Sequence, residues 1–245
     1  MHSFKLHGNE PWARHFQNYH SRLLYLDQHP QELESFLQQL KSTRLGLRFE
    51  MFIWFWLLDQ NYHSYQLLGH SIQKIAGPKT LGELDFLLLN TETHKIEHWE
   101  VALKYYLAER DFSLACWYGL NRSDTLLRKL NHFSQKQFQF EDALEYKIES
   151  RFAVLKGQLY LPVAHPQQVI PAWVNLKRRL GCWGSQIPDK TAAYYRLDRQ
   201  EWICPASHLS SETAHWWTNG LYLQKGQNNF YMYRHAPLLT RHSTH

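Results

Sequence analysis

At 245 residues, with 44% hydrophobic and 20% charged side chains, the chain reads as globular and is long enough to bury a sizeable core. Its longest apolar run, Met51 to Leu58, is too short to cross a bilayer, and its polar amino terminus offers no signal-peptide stretch, so cytoplasmic residence without a membrane anchor is expected. The formal net charge of +5 is uneven: residues 1–162 carry eighteen Lys/Arg against eighteen Asp/Glu, residues 163–245 nine against four. That excess suits a nucleic-acid-facing surface, and an ordinary solvated face gives the same count.

Residues 10–26 place Trp12, Phe16, Leu23 and Leu24 in rough helical spacing. Pro30 then precedes Leu33, Phe36, Leu37 and Leu40, an i, i+3, i+4, i+7 stripe that predicts a second covering helix. A third, from about Arg44 to Leu58, is apolar nearly all round beyond Phe49 and should be buried. Glu50 shares a face there with Gly46, Ile53, Trp54 and Leu57, so it needs a partner: a salt bridge to an arginine, backbone groups that it caps, or a site. Three strands are predicted at Ser64–Ile75, Gly82–Asn90 and Lys95–Leu107, arranged as a meander with Gly77-Pro78 in the first gap. Asn121 or Ser123 can cap a helix running to about Phe138, with Leu126, Leu127, Leu130 and Phe133 inward and Arg128, Lys129, His132 and Lys136 outward. Residues 148–162 read as one long strand or a hairpin turning at Lys156-Gly157. Hairpins are expected about Asp198-Arg199 and about Lys225-Gly226, in a segment holding five of the ten tryptophans. Aromatics beside Lys/Arg can stack nucleobases, but packing within a small β-rich module is the commoner use.

The chemistry concentrates in Gly82-Glu83-Leu84-Asp85-Phe86 and Trp99-Glu100-Val101-Ala102-Leu103-Lys104. A carboxylate inside such apolar runs must be paired, hydrogen-bonded or bound to a cation to offset its desolvation. Side chains alternate along a strand, so Glu100, Ala102 and Lys104 project together, and a turn between Asn90 and Lys95 would lay Asp85 beside Glu100. Hard oxygen ligands of this kind favour Mg²⁺ or Mn²⁺, which would activate a water and neutralise a phosphate oxygen while Lys104 assists. His98 lies on the Glu100 face, and His94 flanks the same strand. No HExxH, CxxC, GxGxxG, Walker loop or GxSxG occurs, and Cys116, Cys182 and Cys204 are too widely spaced for a zinc-thiolate site. The terminal Arg241–His245 reads as a frayed tail.

These stretches, with Arg44-Leu-Gly-Leu-Arg-Phe-Glu50 and the segment Trp117–Asp124 followed by Lys129-Leu130, resemble the PD-(D/E)XK nuclease superfamily and, more closely, the bacterial domain-of-unknown-function family numbered 1853. The resemblance implies an α/β, restriction-endonuclease-like αβββαβ core with a mixed sheet, amino-terminal covering helices and a β-rich carboxy-terminal extension. By the same resemblance Asp85 and Glu100 hold the metal, the Ala102 carbonyl contributes, and Glu50 on the first core helix joins the catalytic set. Ala102 stands where the superfamily places its lysine, and Lys104 follows two residues later on the same face. Asn121, Arg122 and Lys129 would contact nucleic acid, through the helix start and its added charge. For Asp124 the usual role is to stabilise that helix start through the macrodipole. Domains are accordingly expected at 1–162, a nuclease-like core, and 163–245, an aromatic and basic extension. The expected function is metal-dependent hydrolysis of nucleic-acid phosphodiesters, with an inactive nucleic-acid-binding or protein-binding module as the alternative.

Overall fold

A computed structural model of the chain describes residues 10–164, 169–176, 180–203 and 213–235. In chain order its elements are α1 (Glu10–Gln28), α2 (Gln31–Leu37), α3 (Leu45–Leu58), β1 (Tyr65–Ala76), β2 (Lys79–Asn90), β3 (Lys95–Ala108) and β4 (Trp117–Tyr118). There follow α4 (Leu126–Gln135), β5 (Asp142–Ala143), β6 (Tyr146–Lys147), β7 (Ser150–Pro162), β8 (Gly181–Gly184), β9 (Tyr194–Arg196), β10 (Gly220–Gln224) and β11 (Phe230–Tyr233). The chain is therefore mixed α/β. It forms two compact units, one of Met1–Leu103 with Leu130–Lys156, the other of Lys104–Lys129 with Gly157–His245. No helix among the described residues is long and apolar enough to cross a membrane.

The first unit is built on an antiparallel meander. Gly77, at φ +56°, turns β1 into β2, a left-handed conformation that glycine adopts without steric cost. Between β2 and β3 the Asn90 side chain accepts the N–H groups of Glu92 and Thr93 (3.1 and 3.2 Å), so the asparagine itself shapes the turn. The register is then set, with Phe86 opposite Trp99 and Leu87 opposite His98. Strand β2 supplies the fully buried Leu84, Phe86, Leu87 and Leu88. Helices α1 and α3 meet the Trp99 side of the meander, where Trp12, Trp56 and Trp99 cluster with ring centroids 5.8–6.4 Å apart. Phe138, beyond α4, meets the His98 side, edge-on to the imidazole at 5.6 Å.

Helix α1 turns a different face inward than its apolar spacing predicts. Tyr19 and Leu26 are buried, while Phe16, Leu23 and Leu24 are exposed. The reason is polar: Tyr19 Oη donates to Asp59, and Arg22 Nε donates to the same carboxylate at 3.0 Å, which holds this face of α1 against the residue that ends α3. Helix α2 follows its stripe, with Phe36 edge-on to Trp54 and Phe55 at 5.3 Å.

Residues 150–162 form one continuous strand, not a hairpin. Gly157 is required by close approach, because a Cβ at that position would lie 1.6 Å from the Lys104 carbonyl oxygen. Glu149 N–H donates to Ile96 O at 2.9 Å. The offset between the strands is the same at both places, so β7 runs in the direction of β3. Such a pair needs a crossover connection, which α4 lies within.

In the second unit β7, β8 and β11 lie parallel in that order, and β11, β10 and β9 continue antiparallel, a mixed sheet. Gly226, at φ +73°, closes the β10–β11 hairpin expected about Lys225-Gly226. The hairpin expected about Asp198-Arg199 is absent; residues 199–202 form a 3₁₀ turn. A capping box accounts for it, since the Asp198 side chain accepts the Glu201 N–H and Glu201 Oε2 accepts the Asp198 N–H at 2.9 Å. Cys204 and Arg241–His245 lie outside the described residues; Cys116 and Cys182 are free thiols.

Candidate functional site

In the first unit, each sequence-flagged acid has its own hydrogen-bond partner. Strand alternation puts Glu100 on the His98 face of β3, where it is fully buried. His98 Nε2 lies 2.6 Å from Glu100 Oε1, and Gln137 Nε2 donates to Glu100 Oε2. Both oxygens of the carboxylate are thus engaged inside the unit. Burial, with a smaller contribution from the charge of Arg151, pushes the His98 imidazole down to about 4, so it is neutral at physiological pH. The Nε2–H tautomer then donates to Glu100, and Nδ1, buried, finds no hydrogen-bond partner among the described residues.

Asp85 is half-buried, and its Oδ2 accepts the backbone N–H of Val101 at 2.7 Å. Pairing between β2 and β3 runs from Asn90–Lys95 to Phe86–Trp99, so this side chain serves the first N–H beyond the pair Glu100 would make. It takes the place of a ladder carbonyl. Asp85 therefore lies against the β3 segment that carries Glu100, as the spacing predicted.

Glu50 is held elsewhere. Its Oε1 lies 2.9 Å from His70 Nε2, and that imidazole stacks on Trp54 at 4.1 Å and meets Phe86 at 4.8 Å. His70 pairs with Phe86, which pairs with Trp99, so Glu50 works on the Trp99 side of the meander while Glu100 works on the other. Ala102 is buried. Among the described residues no group of three or more His, Cys, Asp or Glu side chains is arranged to hold a metal ion. As the side chains stand, they do not fit a divalent cation. Glu100 would have to give up His98 and Gln137 to coordinate one.

In the second unit, Lys104 Nζ donates to Asp124 Oδ2, an ion pair with both side chains about one-third exposed or less. Asp124 thereby anchors a lysine just ahead of the helix start, and the cap expected from Asn121 or Ser123 falls to Thr125 instead. Helix α4 begins later, at Leu126, with Thr125 Oγ1 accepting the Arg128 N–H at 3.2 Å. Asn121 shapes the preceding turn by accepting the Ser123 N–H (3.1 Å) on its side chain and the Asp124 N–H (2.9 Å) on its carbonyl. Arg122 makes a bidentate pair with Glu109 at 2.5 and 2.9 Å and lies over Tyr118, 4.4 Å from the ring centroid. Lys129 sits in the first turn of α4, its N–H bonded to Thr125 O.

The tryptophans of the second unit mostly pack. Trp217 stacks on Tyr222 at 4.2 Å, Trp173 meets Trp117 edge-on at 5.5 Å, Trp183 donates to Ala108 O, and Trp202 is buried; Trp216 alone of the five is 82% exposed. Sequence reading missed the residues that close the acids, His70 and Gln137. The one available signal was that any acid in an apolar strand must meet a donor, but the donor arrives from a distant element.

Together these features define a mixed α/β chain whose strand-borne acids are tied into side-chain and backbone hydrogen bonds. The chain belongs to the family described as "Domain of unknown function (DUF1853)", whose sequence model matches residues 2–240. No curated protein and no solved structure matches it.

Proposed function

We propose that this chain is a PD-(D/E)XK-like fold that binds nucleic acid without cleaving it, its acids holding the sheet together instead of a cation. The element order α3, β1, β2, β3, α4, β7, with three antiparallel strands and β7 directed along β3, supports the αβββαβ reading. The observation that carries the inactive state is the closure of Glu100, fully buried with His98 and Gln137 on its two oxygens. Nucleic-acid binding is supported by the excess of Lys/Arg in the carboxy-terminal third and by the exposed Trp216. Asn121, Arg122 and Lys129 belong to that binding role, with phosphate competing against Glu109 for Arg122.

A second reading, a Mg²⁺- or Mn²⁺-dependent nuclease, is favoured by one contact: the Asp85 carboxylate on Val101 N–H lies one residue from Glu100. In that reading Asp85, Glu100 and the Ala102 carbonyl bind metal, and Glu50 and Lys104 assist. Incubating the purified chain with single- and double-stranded DNA and RNA, with Mn²⁺, with Mg²⁺ and with chelator, separates the two. Salt-sensitive binding without turnover is the expected result. Mn²⁺-dependent cleavage that disappears in both Asp85→Asn and Glu100→Gln would replace our proposal with the nuclease.

A further inference from the structure

The second unit contains a cleft of about 150 Å³ lined by Arg196, Leu197, Asp198, Arg199, Trp202, Asn219, Gly220 and Arg234. Three arginines and one aspartate line it, and the aspartate is already engaged, since the Asp198 side chain accepts the Glu201 N–H. Among the described residues no ion pair involves Arg196, Arg199 or Arg234. Each is nevertheless positioned. Arg199 lies over the Trp202 ring, 4.3 Å from its centroid. Arg234 Nη2 donates to Leu120 O at 2.9 Å, which leaves further N–H groups on the same fork. Arg196 comes within 3.5 Å of where a side chain at Gly220 would begin.

The floor is rigid. Trp202 is buried, its Nε1 donates to Leu197 O at 3.2 Å, and its carbonyl accepts from Tyr105 Oη at 2.7 Å. Burial and the nearby charge of Arg122 push Arg234 below the usual arginine range, a direction opposite to the one an acid paired with this guanidinium would give. Three planar guanidinium forks that outnumber the single carboxylate beside them and make no ion pair with it are suited to a tetrahedral oxyanion. The volume is well below the roughly 300 Å³ at which pockets begin to enclose small molecules. It suits one charged group, with the rest of any larger ligand outside.

We propose that this cleft holds a phosphate group through the guanidinium groups of Arg196, Arg199 and Arg234. The site stands on the cleft alone, so it and the nucleic-acid reading can fail separately. The test uses the full chain in two arms. In the first, inorganic phosphate is titrated against chloride at matched ionic strength while the arginine Nε–H signals are followed by nuclear magnetic resonance. In the second, fluorescence anisotropy follows binding of a labelled oligothymidylate as a function of salt, for the wild type and for Arg196→Ala/Arg199→Ala. Both residues are exposed, so the variant should keep its melting temperature; Arg196→Ala alone serves if the pair unfolds.

Phosphate, and not chloride, should move the signals of Arg196 and Arg199. The double variant should bind the strand at least about tenfold more weakly, with a salt slope shallower by about 0.7, the value for one phosphate of a single strand. Arginine signals indifferent to phosphate would overturn the site. Signals that respond while no strand is bound would keep the site, make free phosphate its ligand, and sink the nucleic-acid reading instead.

Discussion

Substituting His98 tests the closed Glu100 arrangement through its dependence on pH. The imidazole is held near 4 in the folded chain against 6.5 as a free group. The folded state therefore binds this proton less readily than the unfolded state. Its contribution is fully present above pH 6.5 and is lost as pH falls from 6.5 towards 4. The full loss across that window, at 1.36 kcal/mol per unit, approaches about 3 kcal/mol. Between pH 7 and pH 5 the same linkage gives about 2 kcal/mol, in a range where most carboxylates are still ionised. His98→Gln keeps a donor for Glu100 Oε1 and removes the titration. Urea unfolding at pH 7 and pH 5 should show the wild type losing about 2 kcal/mol more than the variant. Equal losses in the two proteins, or a His98 titration observed near 6.5, would mean that the imidazole is hydrated and that Glu100 is open to solvent.

Two further outcomes follow from packing. Gly157→Ala should destabilise the chain by at least about 3 kcal/mol, because a Cβ 1.6 Å from the Lys104 carbonyl oxygen forces the two backbones apart; the measurement is the urea midpoint, and a shift within error would mean β7 does not approach there. Removing either partner of the Glu50–His70 contact should cost about 1 kcal/mol, and a double-mutant cycle should return a coupling near 0.5 kcal/mol or more. A coupling of zero would release Glu50 for another role.

How far the sequence could be read depends on whether the signal is local. The meander was legible because Gly77, the Asn90 turn and the strand alternation are each encoded within a few residues. The inward face of α1 was not, because it is chosen by Asp59 at the end of another helix, and hydrophobic spacing says nothing of a Tyr19 hydroxyl or an Arg22 seeking that carboxylate. The 3₁₀ turn at residues 199–202 read as strand because Glu201-Trp202-Ile203 carries strand-like residues, although Asp198 and Glu201 already spell a capping box. Gly157 was ambiguous for the same reason. A glycine marks either a turn or a place where another backbone comes near, and only the position of Lys104 decides it.

The acids show why a buried carboxylate is weak evidence for a metal. Desolvation demands a partner, and a cation, an imidazole or an amide answers that demand equally well in a sequence. Gln137 separates the possibilities. Gln137→Ala removes one donor from Glu100 Oε2 without touching β3, and losing a hydrogen bond to a buried charged group costs about 1–3 kcal/mol. If Glu100 serves only the fold, the melting temperature of the variant falls and Mn²⁺ does not restore it. If the carboxylate is a ligand in waiting, Mn²⁺ should stabilise the variant more than the wild type, because the cation no longer competes with an amide for that oxygen. A Mn²⁺-dependent rise that is also abolished by Asp85→Asn would place the two acids around one ion and refute the closed arrangement on which the inactive reading rests.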